Sequence, residues 1–95
     1  MYTLRFQLDE NKNRANKKKH GISFEHALLV FDDEDYLEAY DSAHSDEEDR
    51  YNVIGMIDEV VFVVCTYRDE NTVRLISARE ATKDERRRYE WQWLQ

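Results

Sequence analysis

The stretch from Arg50 to Arg79 constrains this chain more than any other. It holds three segments of strand character, residues 50–57, 60–67 and 72–79, separated only by Asp58-Glu59 and by a turn over 68–71. Connections this short leave no room for a crossover, so the segments fold as an antiparallel meander. The run Val60-Val61-Phe62-Val63-Val64 is apolar without alternation, the pattern of a central strand covered on both faces. In 72–79 a strict two-residue period puts Arg74, Ile76 and Ala78 on one side and Val73, Leu75, Ser77 and Arg79 on the other. Arg79 then stands where the strand passes into a helix.

The flanks supply the rest of the fold. Tyr2, Leu4, Phe6 and Leu8 alternate with Thr3, Arg5 and Gln7, a half-buried strand. Asp9 reads as the N-cap of a helix with Glu10 in its first turn. Residues 11–19 hold one apolar side chain, Ala15, so this helix lies on the surface and packs through Ala15 and lysine stems. Gly21 ends it after His20, since glycine takes the left-handed conformation freely. Ser23 caps a second helix, whose Phe24, Ala27, Leu28 and Phe31 recur at amphipathic spacing. Asp32-Asp33 stops it. Residues 36–40 read as a short edge strand, and 41–49 as a polar acidic loop. Thr82-Lys83-Asp84-Glu85 has the capping-box pattern and opens a last helix, with Tyr89, Trp93 and Leu94 as apolar contacts. The expected fold is α+β: an antiparallel sheet of four to five strands, two N-terminal helices and a C-terminal helix.

Ninety-five residues set one domain, 1–95. No apolar run approaches the roughly 20 residues that span a membrane, and no signal-peptide stretch opens the chain. Cys65, the single cysteine, sits in the apolar run as a small core residue and leaves no intrachain disulfide. The chain is expected in the cytoplasm. Its net charge of −7 argues against nucleic acid as a partner, but the charge is unevenly spread. Residues 32–49 carry ten acids and no lysine or arginine, and the remainder carries fourteen Lys/Arg against eleven acids, a net +3. A basic surface outside the acidic window remains available.

No metal or cofactor is expected. His20, His26 and His44 are scattered, with no pair at ligand spacing; His44 with Asp41 and Asp46 reads as part of a solvated loop. Two glycines exclude a phosphate-cradling loop, and no serine or cysteine has the setting of a nucleophile. What remains is an acid–base and cationic set: Lys19 and His20 after the basic helix, Arg68 at the end of the central strand, Arg74 and Arg79 on the next, and Glu85, Arg86 and Tyr89 on the last helix. RNA cleavage without a metal needs a base for the 2′-hydroxyl, an acid for the leaving oxygen and cations for the charged phosphorane-like state. His20 can serve as acid or base, as an imidazole does; Arg68 and Arg79 match phosphate oxygens bidentately; Tyr89 donates a proton or stacks on a base; Lys19, Arg74 and Arg86 hold the RNA backbone. Each has a structural alternative. His20 caps a helix C-terminus, Glu85 completes the capping box, the arginines are solvated helix charges, and Trp91 and Trp93 are core or interface residues.

Two strings carry a resemblance: Lys19-His20-Gly21-Ile22-Ser23-Phe24-Glu25-His26-Ala27, and Arg74-Leu75-Ile76-Ser77-Ala78-Arg79 running to Glu85-Arg86-Arg87-Arg88-Tyr89-Glu90. With Phe31-Asp32-Asp33, the segment from His44 to Tyr51 and Ile54-Gly55 between them, nearly the whole chain resembles the BrnT toxin family, a branch of the RelE-like ribonuclease toxins. The resemblance implies a type II toxin that cleaves RNA and inhibits translation. It also implies neutralisation by a BrnA-like antitoxin of ribbon-helix-helix type, through which alone the complex meets promoter DNA. Its functional positions fall on Lys19, His20, Arg68 and Arg79, with Glu85 and Tyr89 beside them. Family members are commonly basic, whereas this chain is acidic and sets Glu80 next to Arg79; strand neighbours point to opposite faces. A non-catalytic binding module, docking through the basic surface or mimicking nucleic acid with the acidic loop, fits the same composition. A DNA-binding regulator acting alone does not, since no helix-turn-helix pattern is present.

Overall fold

The computed structural model describes residues 4–94; Tyr2 and Thr3 of the expected first alternation lie outside them. In chain order come β1 (Arg5–Gln7), α1 (Glu10–His20), α2 (Phe24–Ala27) running on into a 3-10 turn (Leu28–Asp32), β2 (Leu37–Tyr40), a 3-10 turn (Ser42–His44), β3 (Tyr51–Met56), β4 (Val60–Asp69), β5 (Thr72–Glu80), α3 (Lys83–Glu90) and a last 3-10 turn (Trp91–Trp93). The helix starts follow local chemistry. Asp9 accepts from the Lys12 amide, Ser23 from the His26 amide, and Thr82 and Glu85 form the full capping box. Gly21 closes α1 at φ 76°. The second N-terminal helix keeps a single α-turn before it tightens into the 3-10 turn.

The sheet runs β1-β5-β4-β3-β2. β2 to β5 are antiparallel neighbours with β4 in the middle, as its apolar run requires. β1 corrects the all-antiparallel expectation: it pairs with β5 in parallel, Arg5 opposite Thr72 and Gln7 opposite Arg74. Everything from α1 to β4 intervenes between them, which gives the chain length a parallel pairing needs.

β5 also breaks strict alternation. Val64 pairs with Ser77 but Cys65 pairs with Leu75, so Ile76 is an extra residue. A bulge of this kind re-phases the side chains beyond it. Ala78 therefore joins Val73 and Leu75 in the core, and Arg79 moves to the face that carries Arg74. The partition expected from strict alternation, Arg74 with Ala78 and Arg79 with Leu75, is overturned here.

One face of the sheet is covered by Phe24, Ala27 and Val30, all fully buried against β4 and β5. Gly55 is the condition for that contact, because a Cβ there would lie 2.3 Å from Val30 Cγ2. The other face is covered at one end only, where Ala81 and Tyr89 pack on Ile54 and Val60. α1 docks differently from expectation. Ala15 is exposed, and the buried residue is Asn16. β1 leaves the edge of β5 at Arg74, and Asn16 takes over further along. Its amide donates to Ala78 O (2.8 Å) and Ile22 O (2.9 Å), and its carbonyl accepts from Ala78 N (3.1 Å). A polar residue thus replaces the missing strand at a free edge.

Candidate functional site

The half-covered face holds a groove of about 390 Å³. Phe62, Val64, Ile76 and Asn52 form its floor, with Arg79 on one side and Asp41, His44 and Arg50 from the acidic loop on the other. A second recess of about 300 Å³ lies against α1, lined by Lys12, Asn16, Lys19 and His20. Both share Ile76 and Ser77. The bulge is thus the ridge between the recess that Lys19 and His20 line and the groove that Arg79 lines.

Arg79 is fixed from three directions. Its guanidinium lies 4.2 Å from the centre of the Phe62 ring. Nη1 and Nη2 donate to the two oxygens of Glu85 at 2.7 and 2.9 Å, and Nη1 also donates to Glu80 O at 3.2 Å. The bonds to Glu85 push the arginine pKa up against the opposing effect of burial. Burial pushes the Glu85 carboxyl up, but Arg79 and the Thr82 amide outweigh it and leave it below the usual range. The acid that answers Arg79 is therefore Glu85, six residues on, and Glu80 contributes only its backbone carbonyl.

Arg74 lies on the same face, paired with Glu48 of the acidic loop at 2.5 Å, and its buried Nε has no partner among the described residues. Thr66, opposite Arg74, donates to Asp49 O, so the loop is tied down over this end of the sheet. Arg50 and His44 were not singled out from the sequence as site residues. Among the described residues Arg50 makes no ion pair, while His44 Nδ1 meets Asp41 Oδ2 at 2.9 Å.

The other expected positions scatter. Arg68 is exposed near the β4–β5 turn, six residues from Phe62, the partner of Arg79, and so roughly 20 Å along the strand. Arg86 is exposed on α3. Tyr89 is buried, its hydroxyl donating to Asp33. Burial and that bond raise the phenol pKa, and the buried ring has no face open for a base to stack on.

The family model of the BrnT ribonuclease toxin of type II toxin–antitoxin systems matches residues 8–85. The chain belongs to the BrnT toxin family. It is also similar to the crystal structure of the Brucella abortus ribonuclease toxin BrnT, with a TM-score of 0.66 and 22% identity over 85% of this chain and all of that one. At that identity the likeness speaks for the fold, an α+β sheet-and-helix arrangement. Comparison with curated proteins gave no match. As a BrnT-family member the chain is a ribonuclease toxin, with RNA as substrate and an antitoxin as partner. Among the described residues no helix is long and apolar enough to cross a membrane.

Proposed function

We propose that this BrnT-family toxin cleaves RNA without a metal at the β5 bulge, and that this cleavage arrests translation. The observation that supports it is that the recess lined by Lys19 and His20 and the groove lined by Arg79 border the same two residues, Ile76 and Ser77. In this reading Arg79 binds the scissile phosphate and His20 moves a proton. Lys19 and Arg74 hold the flanking backbone, and Arg86 and Arg68 make outlying phosphate contacts. Glu85 acts through Arg79 by fixing its plane. Tyr89 has a packing role. The toxin acts in the cytoplasm, where a BrnA-like ribbon-helix-helix antitoxin neutralises it and carries the promoter contacts.

The test is cleavage of a labelled RNA by purified protein in the presence of EDTA, free and on translating ribosomes. Arg79→Ala and His20→Ala should each remove most of the activity in protein that circular dichroism shows still folded. A folded double variant that cleaves like the parent would refute the site. Activity that EDTA abolishes would refute the metal-free route. One observation favours the alternative of a non-catalytic docking module: Arg74 and Arg79 already hold carboxylates. Absence of RNA turnover by the folded parent protein under both conditions would favour it.

A further inference from the structure

We propose that His44, oriented by Asp41, is the group that takes the 2′-hydroxyl proton, and that Arg50 binds the phosphate beside it. The inference rests on the ribonuclease reading of the groove and adds to it a second histidine from the opposite wall. Three observations carry it. His44 Nδ1 is 2.9 Å from Asp41 Oδ2, the arrangement that fixes one ring nitrogen and leaves the other, Nε2, for chemistry. The His44 amide also bonds to Asp41 O, and Ser45 Oγ donates to Asp41 O while accepting from Arg50 N. The base, its orienting carboxylate and the backbone of Arg50 are therefore tied into one loop. Arg50, finally, is the arginine of the groove that has no carboxylate within ion-pair distance among the described residues.

In the step, Nε2 of neutral His44 accepts the 2′-hydroxyl proton as O2′ bonds to phosphorus. The P–O5′ bond breaks, O5′ takes a proton that His20 relays from water, and His44 returns its proton to solvent. The products are a 2′,3′-cyclic phosphate and a 5′-hydroxyl, with no oxidant, reductant or further reactant. Asp41 stabilises the imidazolium that forms. The charged groups around His44 are Asp41, Asp46, Glu47 and Glu48 of its own loop, Arg50 at the loop's end and Arg79 across the groove.

The experiment measures the pH dependence of kcat/KM for the full chain on a 5′-labelled single-stranded RNA, free and on ribosomes. His44→Ala should lose about 10²- to 10⁴-fold, the range of a positioned base, and lose the acid limb of the profile. Added imidazole should restore part of the rate. Asp41→Asn should lower the rate and shift that limb. Arg50→Ala should raise KM about 10- to 100-fold, with Arg50→Lys intermediate. His44 is 70% exposed, so its replacement leaves the melting curve unchanged. A His44→Ala protein that cleaves like the parent, or one whose loss imidazole does not relieve, overturns the assignment while the ribonuclease reading stands. A folded parent that cleaves nothing overturns both.

Discussion

Replacing Asn16 with alanine should be among the most damaging single changes to this fold, although Asn16 lies on a helix with almost no apolar surface. The side chain is 7% exposed and makes three hydrogen bonds, two of them to the backbone of Ala78 on the unpaired edge of β5. Alanine leaves the Ala78 N–H, the Ala78 C=O and the Ile22 C=O without partners. A buried polar group left unpaired costs roughly 1–3 kcal/mol. Three of them together cost about 3–9 kcal/mol. A chain of this length has roughly 5–14 kcal/mol of stability in all, and each kcal/mol moves the melting midpoint by about 4–8 °C. Urea unfolding followed by circular dichroism should thus give a midpoint shifted by a large fraction with an unchanged slope, and thermal melting a loss of more than about 12 °C. Asn16→Asp separates the bonds from the packing. Its carboxylate still accepts from Ala78 N but faces two carbonyl oxygens, so its pKa in the fold rises above the unfolded value. Protonation makes it a donor again, and this variant should gain stability relative to wild type as pH falls. An Asn16→Ala protein within 1 kcal/mol of the parent would refute the reasoning.

Three further perturbations probe other contacts. Gly55→Ala should destabilise by about 1–3 kcal/mol, since its Cβ would sit 2.3 Å from Val30 Cγ2; a neutral result in urea would mean the 3-10 turn yields. Tyr89→Phe should cost about 1.5–3 kcal/mol at neutral pH, the range for a bond to a charged acceptor. Burial raises the Asp33 carboxyl, but bonds from Tyr89 and from the Met56 and Asp35 amides bring it below its usual range. That stabilisation is present above the unfolded carboxyl pKa and lost as pH falls through the folded one, so the gap to wild type should close in acid. Cys65 is fully buried, with its thiol pushed up to about 12 first by burial and then by Glu38. A thiol reagent should therefore label it only when the fold opens, and labelling of the native protein within seconds would contradict its position.

What was legible in the sequence was local or periodic. Asp9, Ser23 and Thr82 announce their helices because a cap is a bond to an amide three residues away. The central place of β4 follows from an apolar run that admits no solvent face. What stayed hidden depends on partners distant in sequence. Arg74-Leu75-Ile76-Ser77-Ala78-Arg79 has plausible residues on both faces in either phase, so nothing within it marks Ile76 as the bulge; the register with Val64 and Cys65 decides. Asn16 is one polar residue in a polar helix, and its partner is 62 residues away. The His44–Asp41 pair is close in sequence, but in a loop the spacing carries no geometry until the chain is folded. The half-covered face was thus half readable: Arg74 and Arg79, on a regular strand, stand out in the sequence, whereas His44 and Arg50, which a loop brings to the same groove, do not.

The two carboxylates on the half-covered face need not block phosphate equally. Glu48 is 34% exposed on a loop, and no other bond of its carboxylate holds it, so an incoming phosphate can displace it into water at small cost. Glu85 is 12% exposed and bound twice over, because the oxygen that meets Arg79 Nη1 also accepts from the Thr82 amide. It stays. Of the five N–H groups of a guanidinium, Arg79 then gives two to Glu85 and one to Glu80 O. It keeps Nε–H and one Nη2–H, which lie on one edge of the fork and can together hold a single phosphate. Arg74 becomes free only when Glu48 leaves, while Arg50 has no ion pair to break first among the described residues. An acidic chain can thus present a sequence of cations to RNA: Arg50 open, the Arg79 edge aimed, and Arg74 released by exchange of one anion for another. The acidic loop sets Glu48 on Arg74 and Asp41 on His44, with Asp46 and Glu47 lining the recess beside His44 and Arg50.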